Sequence, residues 1–321
     1  MKRPDGEEPG GREPVLVHLA SGIGNVVLAT PLLVALDEMG FGVHVRLDAD
    51  YPQTADLLSG WSVVRSVRGR PERGERFAHL VPAVPPFYWR RFAREYRGLA
   101  RVVSRPPDAE FYRDEQAYYF RFAQALGYPA APRPHYRLPI APSADSAPDS
   151  QLVVLAPGCK TGIMAAKRWP GFVRLAERLA AVAVVGTPDD LASFGGSAAR
   201  FPPHCRVLAG ALSLRETAEL MAGARVVVAN DSGLAHVAAA VGAPTLMLFG
   251  PTSHEVLGPL PPNARVLRAG LPCEPCWHGH RLAACAGRVD CLSALGVEDV
   301  LRVVEAMGDG APLPMPLEAG A

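Results

Sequence analysis

A carboxylate, a hydroxyl, a glycine and an imidazole follow one another closely in Asn230-Asp231-Ser232-Gly233-Leu234-Ala235-His236, directly after the apolar run Ala224 to Ala229. The apolar run reads as a buried strand and Ser232 to Val241 as a helix, so Asp231 to Gly233 falls on a strand-to-helix turn. The first amides of a helix have no internal partners and carry the positive end of its dipole, which makes such a turn a phosphate site. Gly233 lets a ligand come close to the backbone, and Asp231 can accept hydrogen bonds from sugar hydroxyls. The plainer use of the same residues is Asp231 or Ser232 as an N-cap and His236 as a satisfied core histidine.

A second constellation is Cys273, Cys276, Cys285 and Cys291, spaced C-x2-C-x8-C-x5-C. Two thiolates at x2 spacing fit one edge of a tetrahedron and a further pair closes it, so the set suits a structural zinc or a mononuclear iron. Free thiols or local disulfides are the alternative. Trp277, His278 and His280 lie inside the loop, but four cysteines already complete a closed site. A third stretch, Tyr88, Trp89, Arg90, Arg91, Arg94, Tyr96, Arg97 and Arg101, combines aromatic and basic residues that suit an anionic acceptor, or else a solvated helix face with a buried aromatic stripe.

These residues need a scaffold. At 321 residues the chain exceeds one hydrophobic core, and two domains are expected. Apolar residues at 49% and charged residues at 20% place it among globular chains. The 33 Lys and Arg nearly balance the 32 Asp and Glu, so no global field draws it to nucleic acid or an anionic membrane. The first residues, MKRPDGEEPGGREP, have no apolar core, and no apolar run approaches the length of a membrane span. A cytoplasmic protein follows as the expectation, with at most peripheral contact at the inner membrane face.

The run Val15 to Leu19 reads as a strand, the small residues Ala20 to Gly24 as a tight turn, Val26 to Met39 as a helix and Val43 to Leu47 as a second, parallel strand. Weaker strand signals lie at Trp61 to Val67 and Phe77 to Val81. Tyr88 to Leu126 reads as two helices separated by Pro106 and Pro107. The stretch from Pro129 to Ser150 is dense in proline, which fits neither helix nor sheet interior. Domains are therefore placed at 1–140 and 151–321 with a linker at 141–150, the second carrying the cysteine finger. In the second, Leu152 to Ala156, Val182 to Gly186, Ala224 to Ala229 and Thr245 to Phe249 are strands, and Pro170 to Leu179, Leu214 to Ala222 and Val297 to Met307 helices. Apolar strands alternating with helices specify a parallel α/β sheet covered on both faces.

The run NDSGLAHVAAAVGAPTLMLFGPTSHEVLGP resembles the signature of glycosyltransferase family 9, the ADP-heptose:lipopolysaccharide heptosyltransferase family. Pro157-Gly158 with Lys167-Arg168-Trp169-Pro170 is similar to a second element of that family, and Gly22-Ile23-Gly24-Asn25 with Thr30-Pro31 to its N-terminal one. The resemblance implies an α/β GT-B fold, two Rossmann-like parallel-sheet domains facing across a cleft. It also implies an inverting transfer of a heptose-like sugar from an ADP-sugar donor to a glycan or protein hydroxyl. Asp231, Ser232, Gly233 and Leu234, with His236 one turn in, would hold the diphosphate and sugar. Lys167 would neutralise the leaving phosphate, and Lys160 and Thr161 would add phosphate contacts. Iron-binding cysteine fingers in family members agree with the metal reading.

One departure stands out. The family places an aspartate, the general base, where this chain has Asn25, whose amide cannot take a proton. Either another carboxylate serves, Asp48 or Asp50 after the second strand, or the acceptor needs little base, or the chain binds a sugar nucleotide without turning it over. Asn25 then orients the acceptor by hydrogen bonding. A two-domain epimerase of UDP-N-acetylglucosamine type shares the architecture, but such enzymes lack a four-cysteine tail.

Overall fold

The computed structural model describes residues 11–20, 22–48, 50–69, 75–92, 101–129, 134–143, 149–160, 162–194, 200–278, 281–282, 289–311 and 317–319. The chain divides into two units: Met1–Pro139 with Glu255–Pro259, and Ile140–His254 with Leu260–Ala321. The short segment Glu255–Pro259 thus belongs to the first unit although its neighbours in sequence belong to the second.

In the first unit β1 (Pro14–Leu19), β2 (Gly42–Leu47), β3 (Val64–Arg68), β4 (His79–Ala83) and β5 (Arg101–Val102) form one sheet in the order β3-β2-β1-β4-β5, parallel throughout. β1 and β2 are buried along their whole length, His18, His44 and Arg46 included, as strands covered on both faces are. The helix expected over 26–39 is two helices, α1 (Ile23–Leu28) and α2 (Thr30–Glu38). Pro31 has no N–H to give to the Val27 carbonyl, and the Thr30 hydroxyl donates to that carbonyl instead, at 2.8 Å. Proline is at home in the first turn of a helix, so α2 starts afresh there.

The 88–126 region also differs from the two helices expected. It holds α3 (Trp89–Phe92), β5, α4 (Asp108–Phe111) and α5 (Glu115–Ala125), with Pro107 as the residue before α4. Arg94, Tyr96 and Arg97 of the aromatic and basic stretch lie outside the described residues. Asp114 caps α5 by accepting from the Ala117 amide at 2.8 Å, an interaction typically worth about 1 kcal/mol. His135 to Ile140 forms no strand, but Tyr136 and Leu138 are buried there and the Arg137 amide donates to the Thr30 hydroxyl at 3.1 Å.

In the second unit β6 (Asp149–Ala156), β7 (Val182–Val184), β8 (Cys205–Val207), β9 (Ala224–Asn230), β10 (Thr245–Leu248), β11 (Ala264–Arg268) and β14 (Leu317–Glu318) pair in parallel, in the order β14-β11-β10-β9-β6-β7-β8. β12 (Trp277–His278) and β13 (Arg281–Leu282) form a separate antiparallel pair. β6 begins at Asp149, inside the expected linker. The helices are α6 (Phe172–Ala176), shorter than the 170–179 expected, α7 (Leu214–Ala222), α8 (Gly233–Ala240), α9 (Asp290–Ala294) and α10 (Val297–Gly308). Ser213 and Glu216 form a reciprocal capping box that fixes where α7 starts. Val153, Leu155, Val226, Val228, Leu246 and Leu248 of the sheet pack with Trp169, Phe172, Val300 and Val304 in one core. No helix among the described residues is long and apolar enough to cross a membrane.

Candidate active site

The end of β9 is organised by a buried amide. Asn230 is fully buried; its Nδ2 donates to the Pro157 carbonyl at 2.6 Å and its Oδ1 accepts the Trp169 amide at 2.9 Å. One side chain thus fixes both the loop after β6 and the approach to α6. The Trp169 indole, itself buried, donates to the Leu295 carbonyl at 2.9 Å. Along the same loop, a Cβ on Gly158 would fall 2.4 Å from the Asp190 carboxyl, which explains the glycine in Pro157-Gly158.

Two residues before Trp169, Lys167 is brought to Asp231: Nζ donates to Oδ2 at 2.9 Å, and the Thr252 hydroxyl donates to the same oxygen at 2.8 Å. Both charged side chains are almost wholly buried. Burial works to raise the Asp231 carboxyl, but the Lys167 ammonium and the Thr252 hydroxyl outweigh it and hold the group below the ordinary aspartate value. His236 is buried and pushed down to about 4, by burial first, with Asp231 opposing and Lys167 adding to the shift, so the imidazole is neutral at pH 7.

Ser232 precedes α8 in an extended conformation without a side-chain cap bond, and Asp231 is engaged by Lys167 and Thr252. The N-cap reading is therefore not what the side chain of Ser232 does, and Ser232, Gly233 and Leu234 are partly exposed. His236 is placed as a core residue. Lys160 is exposed on the loop after β6, and Thr161 lies outside the described residues. Thr252 was not singled out from sequence; its only signal was its place in Gly250-Pro251-Thr252.

In the first unit Asn25 lies on α1, directly beyond the carboxyl end of β1, the side on which open parallel sheets bind ligands. Its Nδ2 donates to Glu115 Oε1 at 2.7 Å and lies 3.3 Å from the Tyr119 hydroxyl, which itself donates to Glu115 Oε1 at 2.9 Å. Burial first, then the Glu115 carboxylate, push the Tyr119 hydroxyl well above its usual range, so it stays a donor. Gly22 lies close against this group: a Cβ there would fall 2.7 Å from Asn25 Oδ1, so a side chain at 22 would make the Asn25 amide shift. Glu115 and Tyr119 were missed in the sequence, where they stand about ninety positions from Asn25. Of the two carboxylates expected to replace the base, Asp48 Oδ1 lies 2.8 Å from Nε2 of the fully buried His18, and Asp50 is half exposed at 3.8 Å from Arg91.

Of the four cysteines, Cys285 lies outside the described residues. Cys276 and Cys291 are buried and Cys273 is exposed. Burial, Glu274, Cys276 and Cys273 together push the Cys291 thiol up to about 12, so the described cysteines share one neighbourhood. The Cys276 amide donates to the Pro251 carbonyl at 3.0 Å, and Cys291 Sγ lies 3.0 Å from where a Cβ on Gly250 would stand. The cysteine segment therefore packs on the loop that carries Thr252. Among the described residues no group of three or more His, Cys, Asp or Glu is arranged to hold a metal ion.

Comparison with known proteins agrees with this geometry. Lipooligosaccharide heptosyltransferase 2 of Haemophilus influenzae is 38% identical over 128 residues, a match spanning 36% of this chain and 36% of that protein, so only about a third of the relative's length is aligned. The structure of E. coli ADP-heptose lipopolysaccharide heptosyltransferase II superposes with a TM-score of 0.70 at 23% identity, covering 92% of this chain and 99% of that one. A bacterial iron-containing dodecameric glycosyltransferase, TibC of enterotoxigenic E. coli, gives a TM-score of 0.58 at 17% identity, covering 93% and 77%. These two likenesses show a shared GT-B-type fold. The sequence model of glycosyltransferase family 9 (heptosyltransferase) matches residues 89–286, more than half of the chain, and the protein belongs to that family.

Proposed function

We propose that this chain transfers a heptose from ADP-heptose to a hydroxyl of lipopolysaccharide, inverting the anomeric centre in a single displacement. The observation that carries the reading is the buried Lys167–Asp231–Thr252 cluster at the start of α8. The amides of Ser232, Gly233 and Leu234 hold the diphosphate, the Asp231 carboxylate accepts from donor-sugar hydroxyls, and Lys167 offsets the charge that develops on the leaving phosphate. A preorganised cation in a site of low dielectric is worth far more there than in water, because it needs no reorganisation as charge develops. The donor and acceptor classes follow those in the names of the relatives, and a glycolipid acceptor makes the chain a peripheral visitor to the inner membrane face. Cys273, Cys276, Cys285 and Cys291 suit a closed structural zinc or iron site, with no open position for chemistry, that braces the Thr252 loop.

The test is thermal protection. ADP-heptose raises the unfolding midpoint more than a UDP-hexose at equal concentration, and Asp231→Ala abolishes the difference. Equal protection by both sugars contradicts the donor assignment. A second reading, donor binding without transfer, draws on Asn25; it predicts protection by ADP-heptose with no sugar moved to heptose-deficient lipopolysaccharide.

A further inference from the structure

We infer that Asn230 is a positioning residue of the transfer reaction: it sets Lys167 against Asp231 and does not itself meet the substrate. The inference rests on the transferase reading above and deepens it, by naming what delivers the cation to the donor site. An asparagine side chain carries both N–H donors and a carbonyl oxygen, so it can satisfy a backbone acceptor and a backbone donor at once. Asn230 does so at the last position of β9, where Nδ2 donates to the Pro157 carbonyl at 2.6 Å and Oδ1 accepts the Trp169 amide at 2.9 Å. All three residues are buried, Asn230 wholly so. Pro157 and Trp169 both lie outside any strand or helix, so no ladder pairs these backbone groups in place of Asn230.

The segment held in this way is the one that carries the cation. Lys167 closes the short 3-10 helix Gly162–Lys167, and the three residues from there on are each attached. Lys167 Nζ donates to Asp231 at 2.9 Å, an Arg168 guanidinium nitrogen donates to the Cys159 carbonyl at 3.4 Å, and the Trp169 amide donates to Asn230. The Trp169 indole adds the Leu295 carbonyl at 2.9 Å. Lysine has a flexible four-carbon stem, so where its ammonium rests depends on where its backbone is held. Two neighbours at the end of β9 therefore grip one loop at two points: Asn230 takes its backbone and Asp231 its charge.

The amide is the side chain that suits this place. An aspartate at 230 has no N–H for the Pro157 carbonyl and would set a second buried charge beside Asp231. A leucine of similar volume would leave both backbone groups unpaired. A preorganised cation acts on the leaving phosphate only where it is held, and a shift of about 1 Å caused by a change away from the reacting atoms can cost about a hundredfold. Asn230 thus acts on turnover through Lys167.

The test is a double-mutant cycle with Lys167→Ala, reading heptose transfer from ADP-heptose to heptose-deficient lipopolysaccharide as kcat and KM. Asn230→Ala lowers kcat and kcat/KM together by about tenfold or more and leaves the KM for ADP-heptose within about threefold, the pattern of an interaction made in the transition state. In the Lys167→Ala background the same substitution costs less than about twofold, because the group that it displaces is gone. Asn230→Ser, which keeps an oxygen for the Trp169 amide, loses less than Asn230→Ala and goes through the same cycle if the alanine chain does not fold. An equal loss in both backgrounds makes Asn230 a packing residue and overturns the inference, as does a kcat within about threefold of wild type; either result leaves the transferase reading standing. Wild-type protein that binds ADP-heptose but transfers nothing overturns that reading, and the role of Asn230 with it.

Discussion

The two units solve the problem of holding a carboxylate in opposite ways. In the second, Asp231 is buried against a cation, Lys167, with Thr252 on the same oxygen. In the first, Glu115 is left partly exposed and is held by an amide and a phenol, both neutral. A buried ion pair suits a fixed cradle for a diphosphate, since neither charge can turn away without leaving the other uncompensated. The contrast is between a buried ion pair and a half-buried carboxylate that receives an amide and a phenol.

The sharpest way to break the contrast is Lys167→Ala. Turnover falls about 100- to 1000-fold, as for loss of one preorganised charge partner. The Asp231 charge, left buried and unpaired, also costs about 3 to 5 kcal/mol of stability, read by urea unfolding. An unchanged urea midpoint means that the pair is not buried in solution.

Next in size is a pH effect confined to the second unit. The unfolded His236 takes a proton near pH 6.5 and the folded one near 4, so between those values the unfolded state binds more protons and stability rises with pH. The gain is on the order of 3 kcal/mol across that window, complete above about pH 6.5, and His236→Asn flattens it. The lowered Asp231 carboxyl contributes with the other timing: its share is present above the unfolded value of about 3.9 and is lost below it. Comparing wild type with His236→Asn from pH 7 to 4 therefore isolates the histidine from Glu274, whose raised carboxyl titrates in the same range.

Thr252→Val removes one hydrogen bond to a charged oxygen and raises the dissociation constant for ADP-heptose by about 1.5 to 3 kcal/mol equivalent. The smallest effect is expected from Tyr119→Phe, about 1 kcal/mol of stability with donor affinity unchanged, because the lost bond lies in the first unit. If Tyr119→Phe weakens donor binding as much as Thr252→Val does, the division of labour between the units fails.

The same contrast decides what could be read from the chain. Asp231 to His236 is contiguous, and its strand-to-helix setting follows from the apolar run Val226–Ala229 in β9 and the periodicity of α8, so the position of the cluster was legible. The strands β1, β6, β9 and β10 were legible as mostly apolar runs, as buried parallel strands are, and β2 through the alternation in VHVRL. β11 and β14 were not, since ARVLR alternates apolar residues with arginine and β14 is only two residues long. The break in the helix after Val26 was written in Thr30-Pro31, yet seeing it required that the Val27 carbonyl find another donor. Glu115 could not be read at all. Nothing local marks a glutamate in the first turn of a helix as a partner of Asn25, which stands about ninety positions away.

The most direct measurement is a crystal structure of the chain soaked with ADP-heptose. The diphosphate should lie on the amides of Ser232, Gly233 and Leu234 with Lys167 within hydrogen-bond distance of a phosphate oxygen. A nucleotide bound elsewhere, with the Lys167–Asp231–Thr252 contacts unchanged and the start of α8 vacant, would contradict the donor site and everything built on it.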